Sequence, residues 1–301
     1  MNVVHAGTVL LLALCAFTAF TARAAERGIY TVVDGDVRVL RKITWYRLEP
    51  GARADDGDVV DVREHEQVQL ELGSGTTLSI IGPALVHAAA LPAHDAKPGT
   101  AADVTLLRGW CKASSTEKSA PLRLAFTGGA LALADGIIVV HADPGHTEFF
   151  VESGRVRLVM PAPKGKEVAR DATEGEFWHR TGDRAFETDD RPSSSFITAM
   201  PHELRDAMPE LASRFQSAPP PLVAGREVTF AEAQPWLSGA SRRAFARRFA
   251  PRLADRAFRA EAAAAPAVPE WDRTLHPERY RPRDADSAPD ARAAPIPSAI
   301  R

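Results

Sequence analysis

The chain has 301 residues, with 37 Lys and Arg against 39 Asp and Glu and a formal net charge of −2. That length admits one large or two modest domains, and the balanced charge excludes a molecule that binds as a polyelectrolyte over its whole surface. Ala, Arg, Asp and Pro are frequent and Lys is scarce, so a local run of arginines carries less weight than it would in an average composition.

Residues 1–24 read as a secretory signal peptide. Thr8 to Phe20 is an apolar core too short to span a bilayer comfortably, and Ala22-Arg-Ala24 forms an A-x-A cleavage site, so the mature chain is expected to start at Ala25. A retained anchor and a lipoprotein acylated at Cys15 are the alternatives. Leu14 stands where a lipobox takes a small residue. The mature chain keeps Cys111 alone, so no internal disulfide can form. No later run reaches membrane-spanning length.

From Gly28 onward the chain alternates short apolar runs with turn residues. Tyr30 to Val33 and Val37 to Leu40 flank Asp34-Gly-Asp36. Val59, Val60 and Val62 follow the turn Asp55-Asp-Gly-Asp58. Val68 to Leu72 alternates strictly, and Thr76 to Ile81 is rich in β-branched residues. Residues 88–102 are rich in Ala, Pro and Gly and read as an excursion loop. Val104 to Leu107, Gly109 to Cys111 and Leu122 to Phe126 resume strands. Phe126 to Pro161 then offers four short runs separated by Asp135-Gly136, Asp143-Pro-Gly145 and Ser153-Gly154, a pattern of consecutive hairpins. Val168 to Phe186 adds a last irregular β segment. This spacing predicts a mainly β N-terminal domain over residues 25–190, a β-sandwich or solenoid-like sheet.

Residues 28–160 resemble a FecR-type domain. The resemblance rests on Gly35-Asp-Val-Arg-Val39, on the step from Pro50-Gly51 to Gly57-Asp58, on Leu72 to Pro83 and on the hairpin Thr147 to Val159. It implies a β scaffold in the cell envelope of a Gram-negative bacterium. A weaker resemblance joins Met200 to Leu211 and Pro269 to Leu275 to a C-terminal extension of exported FecR-like proteins of unassigned function.

After Arg191-Pro192 the period changes, and residues 196–280 are expected to form a small α-helical region. Pro201, Pro209 and Pro251 are placed to open helices. Thr229-Phe-Ala-Glu232 is a capping box, and Ser241 is a candidate N-cap before Phe245 and Phe249. Residues 281–301 read as a disordered tail.

No catalytic signature is present. The chain lacks a Gly-x-Ser-x-Gly elbow, a P-loop and a Rossmann glycine pattern. Ser74 reads as a turn residue, and His65-Glu66 and His202-Glu203 lack the second histidine of a zinc helix. His141 and His146 around Asp143 suggest a metal, but exposed turn histidines are the expected reading. Asp34, Asp36, Asp55, Asp56 and Asp58 read as turn formers, not calcium ligands. Cys111 is expected to be a buried small hydrophobe. The strongest charge feature runs from Arg242 to Arg259. Arg248, Arg252 and Arg256 follow at four-residue steps and would stack on one helical face if Pro251 left the helix intact, giving an anionic partner a patch.

The sequence therefore leads to a non-catalytic exported protein, periplasmic or secreted, that holds an envelope protein or acidic polysaccharide. No cofactor, metal or nucleic acid is expected, and no transmembrane segment after signal cleavage. A rival expectation is a periplasmic sensor of FecR-type signalling, which needs a transmembrane or cytosolic segment. A second is a glycan-active enzyme, which needs two carboxylates converging in a cleft.

Overall fold

Fourteen strands join through hydrogen bonds into one continuous sheet in this computed structural model, which describes residues 27–280 apart from 74, 94, 95, 98, 163, 164 and 240. The expected signal peptide, Cys15, Ser74 and the expected tail at 281–301 lie outside the described residues. The strands are β1 (Gly28–Asp34), β2 (Arg38–Arg41), β3 (Thr44–Arg47), β4 (Asp58–Val62), β5 (Gln67–Leu72), β6 (Thr77–Ala90), β7 (Ala102–Ser115) and β8 (Leu122–Phe126). β9 (Gly129–Asp143), β10 (His146–Pro161), β11 (Glu167–Thr173), β12 (Phe177–Thr181), β13 (Glu187–Asp189) and β14 (Val223–Glu227) complete it.

Four of these strands are long and change partners midway. The first part of β6 pairs with β5 and its second part with β4. β7 pairs with β8 over Ala102–Thr105, in parallel, and with β9 over Gly109–Ser115. β9 and β10 continue the same division. The sheet thus folds over along these strands into two layers that share them, as strands do when they switch sheets at bends and bulges. One layer runs β1, β5, β6, β7, β9, β10, β12, β13. The other runs β14, β3, β2, β4, β6, β7, β8, β9, β10, β11. Their facing sides form a single core, with Leu70, Ile80, Cys111, Ile138 and Val151 from the first layer against Val39, Val60, Leu124, Leu131 and Leu158 from the second. The fold is a β-sandwich, not a solenoid.

The bends correct the expected chain of hairpins between Phe126 and Pro161. Asp135-Gly136 and Ser153-Gly154 are not turns. They sit inside β9 and β10, where Gly136 and Gly154 face each other. Both have positive φ, 131° and 78°. A Cβ on Gly136 would lie 2.3 Å from the Ser153 carbonyl oxygen, and one on Gly154 2.5 Å from that of Asp135. Glycine is used here for close approach of two backbones at a corner, not for a hairpin.

Cys111 is fully buried, and burial pushes its thiol up to about 12. Alkylation at pH 8 is expected to leave it unmodified until denaturant unfolds the sandwich. Modification of the native protein at the rate of a free thiol would place Cys111 at the surface.

Beyond residue 190 the chain wraps the outside of both layers. α1 (Ser194–Ala199), capped by the Ser193 hydroxyl, sets Phe196 on Ile81, Trp110, Val139 and Phe177. The expected helices after Pro201 and Pro209 are only short 3-10 turns, at His202–Leu204 and Ala212–Arg214. This stretch is tied down by polar side chains instead. Lys112, 3 % exposed, donates to the Leu204 and Asp206 carbonyls and pairs with Glu152 at 2.8 Å. Glu71 accepts from the Leu211 and Ala212 amides. The chain then adds β14 to β3.

The remaining helices cover the outer face of the second layer. α2 (Phe230–Ala233) has the expected Thr229–Glu232 capping box. α3 (Arg242–Phe249) is not capped by the Ser241 side chain. After a 3-10 turn over Ala250–Ala254, α4 (Arg256–Ala264) begins at Asp255, whose carboxylate accepts from the Phe258 amide at 2.8 Å. α5 (Asp272–Leu275) follows. Phe230, Trp236, Phe245, Phe249, Phe258 and Trp271 pack with Leu40, Trp45, Val59 and Leu85 of the sheet.

Candidate functional site: a cleft between sheet and helices

Three of the aspartates that read as turn formers, Asp55, Asp56 and Asp58, lie at a recess on the helix-covered side. Arg41 ends β2, Lys42 and Ile43 turn into β3, and Asp55-Asp56-Gly57 leads into Asp58 at the start of β4. Together with Arg248 and Pro251 they line a cleft of about 580 Å³. That volume falls within the range of small-ligand pockets.

The floor is a buried charge network. Asp58, 1 % exposed, receives Arg41 Nε at 2.9 Å and Nη2 at 3.0 Å, the Tyr30 hydroxyl at 3.2 Å and the Asp55 amide at 3.0 Å. Burial raises the Asp58 carboxyl, and the Arg41 guanidinium opposes it. Burial, then the Asp58 charge, push the Tyr30 hydroxyl well above its ordinary range. Arg41 also meets Asp55 at 3.1 Å and the Arg53 carbonyl.

Arg248 forms the wall. Its guanidinium donates from Nε to the Lys42 carbonyl at 2.5 Å, from Nη1 to Gly57 at 2.5 Å and from Nη2 to Leu40 at 2.7 Å. Burial pulls it down to about 10. Arg252 donates to the Val228 carbonyl at 3.0 Å and pairs with Glu227. Arg256 opens α4 and is exposed. The three arginines therefore do not share one helical face. Pro251 lies in the 3-10 turn that separates α3 from α4, and the first two side chains bend back to fasten helix to sheet. Lys42 and Ile43 were not singled out by sequence reasoning. The one signal was their place at a hairpin turn before an Asp-Gly cluster, which ordinary turn chemistry also explains.

Beside the cleft, His87 on β6 packs edge-on against Trp236 and Phe245, with ring centroids 5.6 and 4.8 Å away. Burial, and then the Arg248 cation, lower it to about 4. The unfolded chain binds a proton near pH 6.5, the folded chain only near pH 4. Stability is thus complete above the unfolded value and falls as pH drops through this window, by on the order of 2–3 kcal/mol. Urea titrations at pH 7 and pH 4 are expected to show that loss, reduced in His87→Phe. An equal loss in both proteins would assign the acid sensitivity to other groups.

The histidines near Asp143 also come together. His141 Nδ1 and His146 Nε2 contact the two oxygens of Glu148 at 3.1 and 3.2 Å, and His141 Nε2 meets Asp143 at 3.2 Å. Burial would raise the Glu148 carboxyl, but the hydrogen bonds from His141 and His146 outweigh it and lower it. Among the described residues no three such side chains are grouped to hold a metal ion. His65 and His202 are exposed.

Among the described residues no helix is long and apolar enough to cross a membrane. No family model matches the chain, and no curated protein matches it. Among solved structures, two crystal structures of a candidate anti-sigma factor from Parabacteroides distasonis are similar to it. One has 14 % identity and a TM-score of 0.38 over 47 % of this chain and 62 % of that one. The other has 13 % identity and a TM-score of 0.37 over 47 % and 63 %. This chain thus spans under two thirds of their length, and a likeness this slight assigns neither family nor function.

Proposed function

We propose that this is a non-catalytic, exported recognition protein of the bacterial envelope, periplasmic or secreted. In this reading the β-sandwich is the scaffold, and the cleft under α3 is where an envelope component is held. The observation that carries the reading is the state of the two groups at the floor and wall of the cleft, Asp58 and Arg248. Asp58 is spent on Arg41, Tyr30 and an amide, and Arg248 on three carbonyls. A general acid or base needs a free proton-transfer position within reach of a substrate. Groups fixed in this way instead give a rigid, preorganised wall, which favours binding.

The test uses the mature chain from Ala25, immobilised and exposed to envelope extract. Ile43→Trp, which fills the cleft, is expected to abolish retention of whatever the native protein holds. Unchanged retention, or turnover of an envelope glycan by the native protein, would overturn the reading. Export has its own check: Edman sequencing of secreted protein is expected to begin at Ala25.

A further inference from the structure

We infer that the cleft takes a small zwitterion with an apolar body, a free amino acid or a short peptide with free ends. The inference rests on the proposed role of the cleft and narrows it to a ligand class.

Three cations, Arg41, Lys42 and Arg248, line the cleft with three carboxylates, Asp55, Asp56 and Asp58. Their formal charges cancel, so the cleft does not select a polyanion or a polycation. Most of these groups are already committed. Asp58, Arg41 and Arg248 are satisfied within the protein, and Asp56 accepts from the Leu91 amide at 2.7 Å and pairs with Arg27.

Two groups keep capacity for a ligand. Lys42 is exposed and makes no side-chain hydrogen bond or ion pair among the described residues. Asp55 meets Arg41 through Oδ2, and its side chain remains 60 % exposed. One is a cation suited to a carboxylate, the other an anion suited to an ammonium. Between the charged groups the lining is apolar, from Ile43, Pro251 and Gly57. A ligand with opposite charges at its ends and a hydrocarbon part leaves no charge unpaired on either side, which is the condition for favourable burial.

The probes are L-leucine and leucyl-leucine, with their N-acetyl and C-terminal amide derivatives, titrated calorimetrically into the mature chain. The free forms are expected to bind, and blocking either end to weaken binding tenfold or more, about 1.4 kcal/mol. Lys42→Met should weaken the free forms and leave the amides unchanged. Asp55→Asn should weaken the free forms and leave the N-acetyl forms unchanged. Both side chains are exposed, so an unchanged thermal midpoint is expected to confirm folding.

If blocked and free forms bind alike and Ile43→Trp removes both, the cleft is a site but the zwitterion class is wrong. If no free form binds at up to about 10 mM, the class is also wrong. Retention of an envelope component that is lost in Ile43→Trp would still uphold the cleft in either case. Binding that survives Ile43→Trp places the ligand elsewhere and overturns the inference.

Discussion

Arg248→Gln is expected to destabilise the protein by about 2–4 kcal/mol, whereas Arg256→Gln changes stability by less than about 0.5 kcal/mol. The contrast follows from where the two side chains go. Arg248 makes three charge-assisted bonds to the backbone of β2 and two neighbouring turns, at Leu40, Lys42 and Gly57. A glutamine amide is shorter and reaches one such carbonyl at best. The others lose a partner in a partly buried place, and the stacking of the guanidinium on Phe245 and Phe249 is lost too. Arg256 is exposed and donates to none of these groups. Urea unfolding of each variant gives the comparison directly. Equal small losses would mean that the Arg248 bonds exchange freely with water. The same geometry makes a joint substitution of Arg248, Arg252 and Arg256 a poor probe of a surface patch, because two of the three hold the helices to the sheet.

Removing residues 191–301 is expected to leave a β-rich fragment that self-associates and binds anilinonaphthalene sulfonate strongly. The buried residues of the sandwich's inner core all precede that segment, from which the partly buried Leu222 packs onto it. The segment also covers both outer faces. Loss of the helices uncovers Leu40, Trp45, Val59 and Leu85, and loss of α1 and the following strap uncovers Ile81, Trp110, Val139 and Phe177. Contiguous apolar surface of hundreds of Å² drives association in water. Lys112 and Glu71 would also lose the backbone groups they serve. Circular dichroism should still report strands, while sedimentation shows oligomers. A monomeric fragment that melts at the same midpoint as the whole chain would mean that the C-terminal layer adds no stability. Within the intact protein, Phe249→Ala tests the same layer at one residue. About 3–5 kcal/mol is expected, since Phe249 is fully buried between α3 and the sheet.

Elements whose signal is local were legible in the amino-acid sequence. Strict alternation at Val68–Leu72 marks β5 because a sheet with one buried face needs a period of two. Thr229 and Glu232 mark the start of α2 because their side chains satisfy nearby amides regardless of what packs around them. A mainly β domain followed by a small helical region was legible for the same reason, while the choice of sandwich over solenoid was not. Features that depend on pairs distant in the chain emerged with the folded molecule. Gly136 and Gly154 look like hairpin turns until two backbones are found pressed together at a corner. Four residues per step looks like one arginine face until Pro251 interrupts the helix and the carbonyls of Leu40, Lys42 and Gly57 draw Arg248 inward. The cleft was invisible for that reason as well: Lys42 and Asp55 are ordinary turn residues in sequence, and only the arrival of α3, some two hundred residues later, turns their hairpins into walls.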